Sequence, residues 1–255
     1  MRSGVRRVSD ACFLVMASTA LILSSAACSK SSSSSELAEN FTDELKTNLI
    51  AAGTPEDEAA RIADQAYDDT VDQLEDEEDS AAAAIGILPK SSVTSMKADT
   101  SSSKAGKVAK LVVAAAVKAV GSEESETRSA DSKKSVVGVI AQSTVKSLSG
   151  RVDELDSKGR GALAGEIAQV ASSNLGDAGI ASSDIEGVAG RITQNQVKVL
   201  DQIGISFTDM SAAAAEIATG AAKGATTLVT TTAEKSKVIE SVAAQAMAAP
   251  VPATE

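Results

Sequence analysis

The chain has 255 residues, a net charge of −11, and neither histidine nor tryptophan. Without histidine no Ser–His or Cys–His nucleophile can be assembled, and no His-based zinc, copper or haem site can form. Beyond residue 27 the aromatic residues are Phe41, Tyr67 and Phe207, too few for the stacking platforms of sugar or single-stranded nucleic-acid sites, and the acidic balance repels phosphate backbones.

The chain begins with a basic head, Arg2, Arg6 and Arg7, followed by the mostly apolar stretch Ala11–Ala27 and by the small residues Ser24-Ser25-Ala26-Ala27 before Cys28. That order describes an export signal. The stretch resembles a bacterial lipoprotein signal peptide with its lipobox. The resemblance covers residues 1–28 alone. It implies that the signal, residues 1–27, is cut between Ala27 and Cys28 and that Cys28 carries the fatty-acid chains. Ser25 stands where the family prefers leucine, and Leu23 lies two residues further back. A conventional signal cut after Ala27, leaving a free thiol, is a second reading of the same residues. An uncleaved anchor is a third, although the run is barely long enough to span a bilayer. The Arg6-Arg7 pair lacks the apolar residues expected soon after a twin-arginine motif. Residues 28–35, with the run Ser31–Ser35, form a polar, disordered tether that lifts a folded part off the lipid surface. Several acyl chains on one cysteine satisfy the two-signal rule for stable anchoring. In a cell with two membranes, Ser29 is not the aspartate that the resemblance associates with inner-membrane retention, which favours the outer membrane. The other cysteine, Cys12, lies inside the signal, so the mature chain has no disulfide on this reading.

Residues 36–88 are expected to form an acidic helical hairpin. Leu37, Phe41, Leu45, Leu49 and Ala52 recur at steps of three and four, Gly53 provides a left-handed cap, and Thr54-Pro55-Glu56-Asp57 starts a second helix. Ala60, Ala63, Tyr67, Val71 and Leu74 are its expected apolar face. Between Glu36 and Asp79 stand sixteen acidic residues against Lys46 and Arg61, so this module carries a net charge of −14 while residues 80–255 balance to zero. Asp64, Asp68, Asp72, Asp76 and Asp79 fall on one face. They are weak candidates for capturing hard divalent cations through oxygen ligands, but no EF-hand order is present and a helix face cannot wrap an ion, so a solvated acidic face is the expectation and no metal site is assigned.

Residues 89–134 are expected to be linkers around one short aliphatic helix, Lys104–Val120, which is too short to span a membrane and is read as a core helix over one lying on the lipid surface. Residues 135–249 carry helical periodicity and are expected to form a looser Ala/Val/Ile-rich helical bundle. Its helices are marked by Val136–Leu148, Leu163–Val170, Ile185–Ile203, Met210–Ala222 and Glu234–Ala248. Ser206–Asp209 has capping-box spacing, and Thr226–Thr231 is β-branched and open to a strand reading. Gly161/Gly165 and Gly220/Gly224 form Gly-x-x-x-Gly pairs that permit backbones to approach closely. Asn48-Leu49-x-x-Ala52-Gly53 echoes Asn174-Leu175-x-x-Ala178-Gly179, which raises either recurrent helix-end chemistry or a duplicated helix–Gly–helix unit. Residues 250–255 are expected to be a disordered tail.

The expected fold class is therefore all-α. The expected function is that of a non-catalytic, lipid-anchored envelope lipoprotein. It would act as a structural or partner-binding helical module, with no cofactor, the membrane and an unidentified protein as partners, and no nucleic acid. An acidic, low-affinity divalent-cation-binding protein is the alternative.

Overall fold

The computed structural model describes residues 38–76, 81–97, 99–121 and 130–249. Among them the protein is all-α, with nine α-helices and no strand. These are α1 (residues 38–51), α2 (Glu56–Asp76), α3 (Ala81–Thr94), α4 (Ser102–Ala119), α5 (Ala130–Ser147), α6 (Ser157–Ser173), α7 (Ile185–Val197), α8 (Met210–Ala225) and α9 (Thr232–Ala248).

The helices stack in two layers. α3, α5, α7 and α9 follow one another in one layer, and α4, α6 and α8 in the other. Helices of the same layer run parallel: Gly106 and Lys110 of α4 face Leu163 and Glu166 of α6, and Ser135 and Gly138 of α5 face Arg191 and Asn195 of α7. Chain neighbours alternate between layers. This alternate stacking is the arrangement of helical solenoids, in which each unit buries its apolar face against the next. One hydrophobic cluster runs from Ala38 in α1 to Ala249 after α9, so the acidic helices and the Ala-rich helices share a core.

α6 and α8 approach each other backbone to backbone. A Cβ built on Gly220 would lie 1.9 Å from the Gly165 carbonyl oxygen, and one on Gly165 would lie 2.6 Å from that of Glu216. Gly161 packs against Ala213, and Gly224 against the Gln169 carbonyl. The two Gly-x-x-x-Gly pairs therefore face each other, backbone on backbone, and supply the close approach that their spacing permits. Dispersion contacts between main chains stand in for the large side chains this core lacks.

Three helix ends share one geometry. Gly53, Gly179 and Gly204 have φ of 87°, 71° and 72°. After each, an amide closes back on a leucine carbonyl: Thr54 on Leu49 at 2.9 Å, Ile180 on Leu175 at 3.0 Å and Ile205 on Leu200 at 3.2 Å. The glycine amides bond the carbonyls of Ile50, Gly176 and Asp201. These are Schellman caps, which need a residue that tolerates the left-handed region. The echo between residues 48–53 and 174–179 is thus a shared helix-end geometry, and a third copy lies at residues 199–204. That copy lacks the asparagine and alanine of the other two. Its signature is instead Gly204-Ile205 followed by Asp209-Met210, matching Gly179-Ile180 followed by Asp184-Ile185. In both, a 3₁₀ turn (Ser182–Asp184, Phe207–Asp209) leads into the next helix.

Several elements differ from the sequence expectation. Residues 89–94, expected in a linker, are the last turns of α3. Pro89 lies inside that helix, and the hydroxyls of Ser92, Thr94 and Ser95 fold back on the carbonyls of Leu88, Lys90 and Ser91 at 2.7, 3.0 and 2.7 Å. Residues 130–134, also expected in a linker, open α5. The single helix expected over 185–203 breaks after Val197 into turns and a 3₁₀ segment before Gly204. The β-branched run Thr226–Thr231 is a connection, with Thr226 and Thr227 hydroxyls bonded to the Ala222 and Gly224 carbonyls and Thr231 capping α9 through a full capping box with Glu234. At Ser206 the hydroxyl makes no backbone cap and pairs with Asp209 at 2.5 Å. The buried face of α2 is Ala59, Ile62, Ala63, Ala66 and Thr70, rotated from the expected one, while Tyr67 is half-buried.

Candidate functional site

Ala27 and Cys28, the expected cleavage and lipidation residues, lie outside the described residues. So does Asp79, as does the side chain of Asp76, the last residue of α2. Asp64, Asp68 and Asp72 are exposed on α2, on the side away from Ile62 and Ala66. Among the described residues no group of three or more acidic side chains gathers into a metal-binding cluster. Beside that stripe, Asp69 makes a tertiary contact. It accepts from Gln65 at 2.7 Å and from the Ser91 hydroxyl, tying α2 to α3.

Ion pairs fasten the acidic helices to α4. Lys104 meets Glu58 at 2.8 Å and Lys118 meets Glu44 at 2.8 Å, while Lys110 reaches Glu166 of α6 at 2.7 Å. The apolar side of α4 is buried, including Val108, Val112, Val113 and Val117. A core helix with three of its four lysines paired is therefore what the aliphatic segment becomes. The Lys118 ammonium, hydrogen-bonded to Glu44, holds that carboxyl below its usual range, and Asn48 adds a second donor. Glu44 raises the pKa of Lys118 in turn. A carboxyl with a lowered folded pKa contributes stability that is complete above the ordinary glutamate value of about 4.3 and is lost as pH falls through the folded value. Both side chains are substantially exposed, so the pair contributes less than about 1 kcal/mol. The gap in melting temperature between wild type and Glu44→Gln should accordingly narrow as pH falls from neutral to about 3. A gap independent of pH would mean that the pair does not form.

Two surface depressions lie elsewhere. The first is polar, about 390 Å³, where the start of α5 meets the start of α7. Lys134 spans it, 3.1 Å from both Asp131 and Asp184, and Arg191 donates to the Ser135 hydroxyl at 2.7 Å. The Asp131 carboxylate, and then that of Asp184, raise the pKa of the Lys134 ammonium. The Lys134 charge in this depression is thus matched by the two carboxylates. The second is an apolar groove of about 380 Å³ between α8 and α9, floored by Ala218, Ala222 and Val242, walled by Thr219, Ile239 and Ala243, and edged by Lys223. Ile239 beside it is 53% exposed and Met247, two turns on, is 80% exposed. The sequence signal for this groove is the run of alanines on both helices. Its side chains are too small to fill the space between two neighbouring helices.

No family model, curated protein or solved structure matches the chain. Among the described residues no helix is long and apolar enough to cross a membrane. The class that fold and surface define is a two-layer stacked helical array with an open apolar end.

Proposed function

We propose that the protein is a non-catalytic envelope lipoprotein, held to a membrane through Cys28, whose helical array serves as a structural or partner-binding module. The resemblance of residues 1–28 to a lipoprotein signal supports the anchor, and Ser29 favours the outer membrane where the cell has two. The ten residues from Cys28 to Leu37 reach at most about 33 Å when extended, enough to hold the array clear of the headgroups. The observation that carries the binding role is the apolar groove between α8 and α9, which leaves Ile239 in solvent at the end of the stack. Ending an array normally requires a polar outer face. Replacing Cys28 with Ala should abolish fatty-acid labelling and removal of residues 1–27. Persistent labelling of the Cys28→Ala chain, with retention at the membrane, would refute the anchor.

A further inference from the structure

We infer that the outer face of α8 and α9 is a self-association surface, and that its occupant is the same face of a second copy of this chain. This names the partner in the binding reading above and does not depend on the lipid anchor. Two-fold association requires one surface to carry both a projection and the recess that receives it. This face does. On α9, Ser236, Ile239, Ala243 and Met247 are exposed at helical spacing, so they line one stripe. Ile239 projects, and Ala243 one turn away opens onto the groove. Antiparallel pairing of α9 with α9 about an axis between these two residues sets Ile239 of each copy over Ala243 of the other. It also brings Met247 against the turn that holds Lys235 and Ser236.

Charge permits a second copy at this end and opposes one at the other. α8 and α9 together hold Glu216, Glu234 and Glu240 against Lys223, Lys235 and Lys237, a net of zero. Two such faces do not repel. At the other end of the stack, α2 packs on α3 and is tied to α4 through Glu58, and the acidic segment there carries −14. That end opposes its own copy at any salt where the Debye length spans the contact. The area sets the strength. Two helices of about 16 residues present a face of about 25 by 20 Å, near the lower bound for a specific interface. The dimer is therefore weak and exchanging, formed at high local concentration.

The test uses the full chain, purified in detergent, with Cys12 and Cys28 replaced by Ser and one new thiol added. With Ala243→Cys, a short bismaleimide should give covalent dimers. With Thr208→Cys, an exposed site on the turn before α8, it should not. Adding Ile239→Lys to the Ala243→Cys chain should cut the yield by about tenfold or more, as for loss of a central contact. Circular dichroism should remain helical throughout, because position 239 is in solvent. Absence of cross-linking at Ala243→Cys at hundred-micromolar chain overturns the proposal. So does equal cross-linking at the two positions, or an Ile239→Lys chain that links as well as its parent. Loss of the Cys28 anchor alone leaves these results unchanged.

Discussion

Gly220→Ala should destabilise the protein by about 3 kcal/mol or more, although replacing an exposed helical glycine with alanine ordinarily gains up to about 1 kcal/mol. The reversal comes from what the new methyl would meet. At Gly220 it would sit 1.9 Å from the Gly165 carbonyl oxygen, with the Gly165 carbonyl carbon at 2.7 Å and its Cα at 3.2 Å. None of these is the end of a side chain that could swing aside. The two helices would have to move apart, opening the contacts of Gly161 with Ala213 and of Gly224 with Gln169 along the same seam. Gly165→Ala should act in the same direction, since its methyl would approach the Glu216 carbonyl oxygen to 2.6 Å. Gly187→Ala should do the opposite. That position lies in the first turn of α7, exposed, with no atom within 4 Å of an added Cβ, so the helix-propensity gain of roughly 0.5–1 kcal/mol should appear undiminished. Urea denaturation of the three variants beside wild type measures both signs. A Gly220→Ala chain as stable as the parent would show that α6 and α8 do not meet at their backbones.

Replacing Arg160 with Met should cost about 2–3 kcal/mol, a larger loss than its position near the surface suggests. The guanidinium lies at the junction between the end of the α7 unit and the start of α6. Its Nε donates to the carbonyls of Leu155 at 2.9 Å and Val152 at 3.3 Å, and its Nη1 to those of Ile203 at 2.9 Å and Gly204 at 3.0 Å. The latter two close the 3₁₀ segment Asp201–Ile203, where Gly204 adopts its left-handed conformation. An added Cβ on Gly204 would come within 2.1 Å of Nη1, so the glycine gives room to the arginine as well as turning the chain. Ser157 assists at the same junction by accepting from the Ser206 amide at 3.0 Å. Met preserves the aliphatic stem and removes the donors, which isolates the hydrogen bonds from the packing. Arg160→Lys should recover less than half of the loss, because one ammonium cannot span carbonyls that a planar fork reaches from two sides. Full recovery by Lys in chemical denaturation would assign the effect to charge and not to geometry.

The sequence carried the helices wherever the apolar spacing was regular. α1, α4, α6, α8 and α9 follow from Phe41, Leu45 and Leu49, from the valines of α4, and from caps such as Gly53. α3 was not legible because its composition argues against it: a proline in its interior and a Ser/Thr-rich end, with hydroxyls that compete for backbone partners. Those hydroxyls point back into the helix, and Ser91 finds Asp69 across the hairpin, which is a tertiary compensation that spacing does not encode. The buried face of α2 was displaced for a related reason. Alanine at 59, 60, 63 and 66 marks several candidate faces equally, and packing against α3 chooses among them. The acidic stripe Asp64, Asp68 and Asp72 was legible as a solvated face. The groove between α8 and α9 was not, because an alanine-rich helix gives no sign of which neighbour it will fail to touch.

By itself the sequence determined that this protein is helical, that Gly53 caps a helix end in the left-handed region, and that its charge is concentrated in one acidic segment. These are local matters of apolar period, backbone freedom and composition. Only the tertiary structure decided the layering. Parallel stacking of alternate helices follows from which small residues meet: Gly161, Gly165, Gly220 and Gly224 are separated by an intervening helix in the chain and become neighbours only when α6 and α8 lie side by side. It also decided which end of the stack is left open. Burial is a property of pairs of surfaces, and the alanines that close tightly on glycine inside the array are the same residue type that, on α8 and α9, leave Ile239 standing in solvent.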